Sequence, residues 1–274
     1  MNAQPEAIGP FSIAAFDVDG TLTNSQGAID TDALELIANL RSQGVLVVIA
    51  TARGPSGIET FATLLGDSLS AVTYQGALVG AFENGHWLTL SETTLEIDLA
   101  YEIADLAAES GLATSWHAGP SWYTTALSNE ILVEARIVND SPRLVDDPRR
   151  LALSPHKLML ISPMDETWRL AEVTRQLPRT VSHSYSHPNY VEVSPIGVDK
   201  GTGLTDVLRK VGGRAGDLAA FGDGENDIAM FQAAAYSVAM PHAPDSIRTA
   251  ATTVARHGLA SALRDIQWEQ FEAL

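Results

Sequence analysis

The sequence has no cysteine, few basic residues and no long apolar run. Without cysteine, the chain can form no disulfide, no thiolate nucleophile and no cysteine-bound metal site. No apolar run reaches the roughly 18 residues of a membrane-spanning helix, and no basic residue precedes the first apolar run, as a secretory signal would require. We therefore expect a cytoplasmic protein with no membrane partner.

Basic residues are outnumbered two to one by acidic residues. The chain has 17 lysines and arginines against 34 aspartates and glutamates, for a net charge of −17. A chain this acidic repels polyanions, and it lacks the basic patch typical of nucleic-acid-binding proteins. We expect no nucleic-acid partner. A phosphorylated ligand would have to be held by a metal ion and a few well-placed cations.

Short apolar strands alternate with helical patterns at both ends of the chain. Apolar runs at 11–16 and 45–50 flank one helical pattern, and the same order returns with short strands at 218–221 and 237–240. This order, with nearly continuous apolar strands, is typical of a parallel sheet covered on both faces. The 274 residues suffice for one large or two modest domains, and the predicted fold class is α/β.

The middle of the chain has a different pattern. Strand-like segments such as ALVGAF, ILVEARIV and HKLMLIS lie among two helices predicted near 94–110 and 165–177. We interpret this stretch as an inserted α+β domain whose ends return to the parallel sheet. The predicted division is a core formed by 1–77 and 190–274 and an insert formed by 78–189.

Aromatic and histidine side chains concentrate in the insert. Four of them lie close together in the sequence: Trp116, His117, Trp122 and Tyr123. Aromatic side chains with polar tips suit ring recognition and equally suit the packed core of a domain, so both roles stay open. His183 and His187 are expected on one face of a strand, where they could bind a metal or simply pack.

Acidic and polar residues stand at the carboxyl ends of the predicted strands. Asp17 and Asp19 follow the first strand, and Thr51 follows the second. Asp223 follows a later strand, and Lys200 begins a helix. Ligands of open parallel sheets bind at the carboxyl ends of the strands. Each residue alone is an ordinary turn, cap or surface residue, whereas the ordered set indicates a functional site.

This set resembles the four ordered motifs of the haloacid dehalogenase (HAD) superfamily. The segments DVDGTLT and GDGENDIAM carry most of the resemblance, with Thr51 and Lys200 between them. The insert resembles the type-two cap of the Cof-like sugar-phosphatase branch, with ATARG in place of the usual ATGR and Gln75 in place of the usual asparagine. The resemblance implies a HAD-type Rossmann-like core with an inserted cap. It also implies a Mg²⁺-dependent phosphatase acting on a small phosphorylated substrate, most of all a sugar phosphate.

The residues of these motifs suit phosphoryl transfer. Asp17 is a candidate nucleophile that forms an aspartyl-phosphate, and Asp19 is a candidate general acid and base. Thr51 would donate its hydroxyl to the phosphoryl oxygens, and Lys200 would neutralise charge that develops in the transition state.

Metal and substrate ligands complete the predicted site. Carboxylate and carbonyl ligands at a phosphoryl site favour Mg²⁺. The predicted ligands are the Asp17 carboxylate, the Asp19 backbone carbonyl, the Asp223 carboxylate and Asp227, the last either directly or through water. The resemblance implies a contact from Asn226 to the phosphate. Arg53 could reach the phosphate or the cap, or could form a structural ion pair.

Two other functions stay open. Phosphomannomutases resemble DVDGTLT in their first motif, so the chain could be a phosphomutase that returns the phosphoryl group to a sugar. A non-enzymatic phospho-acceptor would also use an aspartate, a threonine and a lysine on a parallel sheet, although Asp19 and the large insert speak against it. Neither the individual substrate nor the oligomeric state follows from the sequence.

Overall fold

The computed structural model describes residues 8–24, 27–138 and 140–273. The chain divides into two compact units, which we name the core unit and the insert unit. The core unit spans Met1–Ala52, Thr60–Leu90 and Asp199–Leu274, and the insert unit spans Arg53–Glu59 and Ser91–Val198.

The elements are numbered along the chain. The strands are β1 Ile8–Phe11, β2 Ile13–Phe16, β3 Leu46–Ala50, β4 Leu69–Thr73, β5 Leu78–Glu83, β6 His86–Glu92, β7 Ala113–Ala118, β8 Ser121–Thr124, β9 Arg143–Leu144, β10 Lys157–Ile161, β11 Val181–His187, β12 Tyr190–Pro195, β13 Leu218–Gly222, β14 Tyr236–Ala239, β15 Thr253–Val254 and β16 Ile266–Trp268. The α-helices are α1 Thr31–Ser42, α2 Glu59–Leu65, α3 Ile97–Glu109, α4 Asn129–Ile137, α5 Trp168–Thr174, α6 Lys200–Val211, α7 Ile228–Ala233, α8 Asp245–Ala250 and α9 Leu259–Arg264.

An eight-stranded sheet with the strand order β15-β14-β13-β2-β3-β4-β5-β6 forms the centre of the core unit. The strands from β15 to β4 run parallel, and β5 returns antiparallel to β4. All four residues of β2 are buried, as expected of a strand covered on both faces. The predicted α/β class with a parallel core sheet is confirmed. β1 and β16 form a separate two-stranded parallel sheet.

The insert unit contains a mostly antiparallel six-stranded sheet with the order β11-β12-β10-β7-β8-β9. Helices α3 and α5 pack on one face, against a cluster that includes Trp116 and Tyr123. The opposite face carries Trp122, against which the His117 ring stacks at 5.5 Å between centroids. The four neighbouring aromatic and histidine side chains therefore lie on two different faces of one sheet.

Two interpretations of the insert sequence are wrong. ILVEARIV is helical within α4. The Ser128 side chain caps this helix by accepting from the Ile131 N–H. Ile131 and Glu134, which are three residues apart, form its buried face. His183 and His187 do not share a face. A register shift in β11 leaves His183 opposite Val193 and His187 opposite Tyr190.

The boundaries between the two units lie at different residues from those that the sequence indicates. ALVGAF forms β5, which pairs with β4 of the core sheet, because the chain turns back directly after β4. The strand β12 pairs with β10 and β11 of the insert sheet. The units consequently separate near residues 90 and 198. Their assignment as catalytic core and cap stays a prediction.

None of the helices in the described part of the chain has both the length and the apolar character that crossing a bilayer would demand.

Candidate active site

Aligned parallel strands bring the first and last motifs together in the core unit. Phe16, the last residue of β2, pairs with Phe221 of β13, and the backbone N–H of Asp17 donates to the Phe221 carbonyl at 2.9 Å. On the other side, β3 pairs with β2 and ends directly before Thr51. The side chains that follow these strands consequently meet at one edge of the sheet, where open α/β folds bind ligands.

Lys200 provides the positive charge of the cluster. It is fully buried, and its Nζ donates to Asp17 Oδ1 and to Asp227 Oδ1, both at 2.6 Å. Burial lowers the pKa of Lys200, but the two carboxylates outweigh this effect and raise it. The lysine therefore stays charged and links the first motif to the last.

Helix α6 holds Lys200 at its first position. Asp199 caps the helix by accepting from the Thr202 N–H at 2.7 Å, and the Thr202 hydroxyl reaches back toward Asp199. Two glycines allow the helix start to approach its neighbours: a Cβ on Gly76 would lie 2.1 Å from the Asp199 carbonyl oxygen, and one on Gly201 would lie 2.4 Å from the Ala229 carbonyl oxygen. The position of Lys200 is thus fixed by backbone packing.

The Asp227 carboxylate is already engaged on both oxygens. Oδ1 accepts from Lys200, and Oδ2 accepts from the backbone N–H groups of Asp223 and Gly224, both at 2.8 Å. A Cβ on Gly222 would lie 2.4 Å from Asp227 Cγ, so only glycine leaves room for this arrangement. Asp227 therefore shapes the turn that carries Asp223 and orients Lys200.

Asp223 lies at the more open side of the cluster, with 20% of its side chain exposed. Its Oδ2 accepts from His242 Nε2 at 3.1 Å, and the Thr21 hydroxyl lies 3.5 Å from its Oδ1. Gly20 has a φ of +90°, and a Cβ there would lie 2.2 Å from Asp223 Oδ2. Glycine lets the first motif turn closely against this carboxylate.

The donor set fits a divalent cation. Oxygens of Asp17, Asp223 and Asp227 all lie within 4.8 Å of one another. When all three carboxylates are ionised, the single charge of Lys200 leaves the cluster with a net charge of −2, which one divalent ion would cancel. Asp17 Oδ2 is buried and accepts no hydrogen bond from the described residues. Burial raises the pKa of Asp17 to about 8 although Lys200 acts to lower it, so more positive charge is needed to keep this carboxylate ionised.

The remaining predicted site residues are Thr51, Asp19, Asn226 and Arg53. Thr51 is fully buried at the end of β3, where its backbone N–H donates to the Val72 carbonyl. Asp19 is exposed. Asn226 is half-buried in the turn next to Asp227. Arg53 belongs to the insert unit, where its Nη1 donates to the Gly57 carbonyl at 3.2 Å.

Sequence reasoning missed His242 as a member of the cluster. Its only signal was its place just after the predicted strand at 237–240, at the same edge of the sheet as the other motif residues.

Comparisons with known proteins agree with this geometry. A family profile for haloacid dehalogenase-like hydrolases matches residues 14–263. The HMP-PP phosphatase of Serratia proteamaculans is 26% identical, with 87% of each chain covered. The phosphoglycolate phosphatase of Nitrosopumilus maritimus is 26% identical, with 89% of each chain covered. The crystal structure of TM0651 from Thermotoga maritima matches with a TM-score of 0.84 at 25% identity, covering 93% of this chain and 97% of that one. The resemblance of the motifs is confirmed, and the chain belongs to the haloacid dehalogenase-like hydrolases.

Proposed function

We propose that the chain is a Mg²⁺-dependent phosphatase that hydrolyses a small phosphorylated metabolite through an aspartyl-phosphate on Asp17. One observation carries the proposal. The Asp17 carboxylate is buried with one oxygen on Lys200, while its other oxygen has no hydrogen-bond partner among the described residues. Lys200 thus fixes the carboxylate and leaves Oδ2 available to attack phosphorus.

The reaction divides into two transfers. Asp17 Oδ2 bonds to phosphorus as the bond from phosphorus to the leaving oxygen breaks, and Asp19 gives that oxygen a proton. Asp19 then takes a proton from a water molecule, which attacks phosphorus, releases inorganic phosphate and restores Asp17. Asp19 is exposed, as a group that exchanges protons with a ligand and with water requires.

Lys200 and Thr51 assist both transfers. Lys200 is held by two carboxylates and does not have to reorganise as charge develops on the phosphoryl oxygens. Thr51, at the end of the strand next to Asp17, would donate its hydroxyl to a phosphoryl oxygen. Contacts of Asn226 and Arg53 with the phosphate stay predictions.

The metal would be held by Asp17, by Asp223 and by the backbone carbonyl of Asp19, with Asp227 acting through the turn and through Lys200. When bound, a divalent cation offsets the repulsion between these carboxylates and the phosphate. Asp227 is the least suited to direct ligation because it is fully buried and already accepts three hydrogen bonds, one of them from the Lys200 ammonium.

The relatives support a small phosphorylated compound as the substrate. They include proteins named as phosphatases of HMP-PP and of phosphoglycolate, which are both small phosphorylated compounds. We extend that class to this chain and keep sugar phosphates as its first candidates. A cytoplasmic location and the lack of nucleic-acid and membrane partners stay predictions from composition.

Phosphate release tests the proposal. Purified protein is assayed with phosphorylated sugars, HMP-PP, phosphoglycolate, nucleotides and pyridoxal phosphate, with Mg²⁺ and with EDTA. We expect Mg²⁺-dependent release from a narrow subset, no turnover by Asp17→Asn, and a loss of about 10²–10⁴-fold for Asp19→Asn. The control is Asp165→Asn, which changes an exposed aspartate of the insert unit and should leave turnover unaltered.

Other outcomes would contradict this assignment. Turnover retained by Asp17→Asn would exclude the nucleophile. Isomerised product that depends on a bisphosphate activator would show a mutase instead. Stable phosphorylation of Asp17 without release would show a phospho-acceptor.

A further inference from the structure

His242 contacts the cluster from the segment that follows β14, which none of the four motifs includes. Strands β13 and β14 pair in parallel with Gly222 opposite Ala239, so the segments that follow them emerge side by side. Asp223 follows the first of these strands, and His242 follows the second after two intervening residues. The imidazole Nε2 donates to Asp223 Oδ2 at 3.1 Å.

The backbone around His242 is anchored. Met240 N–H donates to the Gly222 carbonyl at 2.9 Å, which joins this segment to the strand that carries Asp223. Ala243 is buried and donates to the Met240 carbonyl, and Arg248 Nη1 donates to the Pro241 carbonyl at 3.3 Å. The imidazole therefore approaches Asp223 from a fixed loop, although 55% of the side chain is exposed.

The Asp223 carboxylate is confined from two further directions. Gly20 packs so closely against Oδ2 that no side chain fits there, and the Thr21 hydroxyl lies 3.5 Å from Oδ1. Removal of the imidazole would release the only side-chain hydrogen bond to Oδ2 among the described residues. Carboxylate ligands of metals commonly depend on such outer partners, whose loss weakens metal binding by about 10–100-fold.

We propose that His242 is a positioning residue for the metal site: its Nε2–H fixes the orientation in which Asp223 is presented to the cation. This inference rests on the proposed function, because it requires Asp223 to be a metal ligand. His242 acts through Asp223 and does not itself touch the substrate.

The test separates metal affinity from substrate binding and catalysis. Mn²⁺ binding without substrate is titrated by the EPR signal of free Mn²⁺, and kcat and KM are measured at saturating Mg²⁺. We expect His242→Ala to weaken Mn²⁺ binding about 10-fold or more, with any fall in kcat at saturating Mg²⁺ smaller than this loss of affinity. His242→Gln keeps an N–H donor and should recover part of the affinity. The control is His257→Ala, which removes another exposed histidine of the core unit.

Each alternative has its own result. A higher substrate KM with unchanged Mn²⁺ affinity would show a substrate contact, and a lower melting temperature with unchanged Mn²⁺ affinity would show a purely structural role. Either result overturns the inference and leaves the proposed function standing. Wild-type protein that hydrolyses phosphate esters but binds no Mn²⁺ would overturn the metal site and this inference with it. Wild-type protein that binds Mn²⁺ but releases no phosphate would contradict the proposed function alone.

Discussion

Replacing Lys200 by methionine tests whether this lysine holds the cluster together. Its Nζ is fully buried and donates to Asp17 and Asp227, both at 2.6 Å. Methionine has a similar length and no charge, so the variant keeps most of the packing and leaves two buried carboxylates facing each other without a cation. Asp17 already has its pKa raised by burial, which shows that the surroundings oppose its negative charge.

The expected cost is large for one side chain. Removing one partner of a buried ion pair destabilises a protein by about 3–5 kcal/mol, because the remaining charge is buried without compensation. At about 2–4 °C per kcal/mol for a chain of this size, the melting temperature should fall by about 6–20 °C. In an Asp17→Asn background one of the two carboxylates is already neutral. The same lysine substitution should then cost at least about 1 kcal/mol less.

Thermal and urea unfolding in EDTA at about pH 9, above the pKa of about 8 that burial gives Asp17, measure this effect. The control is Lys210→Met, which changes an exposed lysine on the same helix and should alter the free energy of unfolding by less than about 0.5 kcal/mol. If Lys200→Met proved no more destabilising than this control, the lysine would not compensate buried charge and the reasoning would be refuted. Full additivity with Asp17→Asn would refute the coupling between the two residues.

Three further measurements follow from the same geometry. Mg²⁺ added to EDTA-treated protein at 100 times its dissociation constant should stabilise it by about 2.7 kcal/mol, or about 5–10 °C, and Asp223→Asn should abolish this shift in a calorimetric scan. Gly76→Ala should destabilise the protein in urea unfolding by more than Gly85→Ala, because both glycines have a positive φ but only Gly76 faces a carbonyl oxygen at 2.1 Å from an added Cβ. Burial keeps the pKa of His117 well below 6.5, so the imidazole stays neutral in the folded protein where it would take up a proton in the unfolded chain. Its full contribution to the free energy of unfolding is therefore present above about pH 6.5. As the pH falls below that value, the contribution is lost by up to about 1.4 kcal/mol per pH unit. His117→Gln should flatten that decline between pH 6.5 and 5.5, and an unchanged slope would contradict the assignment.

The meeting of these motif residues at one edge of the sheet was predictable, because it follows from local patterns and one rule of topology. Asp17, Thr51 and Asp223 each follow a short apolar strand, and parallel strands place their carboxyl ends at one edge. Lys200 was predictable from the order of the motifs. The spacing of the motifs does not contain the contacts that Lys200 makes. Its ammonium joins Asp17, which lies 183 residues before it in the chain, to Asp227, which lies 27 residues after it.

The errors arose where long-range pairing or a single cap decides the structure. ILVEARIV has the β-branched residues of a strand, and the capping bond from Ser128 together with the buried face at Ile131 makes it a helix. ALVGAF is a strand in either sheet, and only its register with β4 assigns it to the core unit. His242 resembles any polar residue after a strand, and its contact with Asp223 depends on the pairing of β13 with β14.

Gln75 shows how the fold can hold a conformation that its own residue does not favour. Tyr74, Gln75 and Gly76 have φ values of 48°, 57° and 108°, and such backbone costs on the order of 1 kcal/mol at each of the two non-glycine residues. Two contacts maintain the turn. The Gln75 N–H donates to the Thr51 carbonyl at 2.9 Å, and Gly76 packs against the carbonyl of Asp199, the residue before Lys200. The turn therefore connects the end of β3 to the start of α6. The strained backbone of this turn thus contacts Thr51 directly and contacts the residue before Lys200, and both Thr51 and Lys200 are proposed catalytic residues.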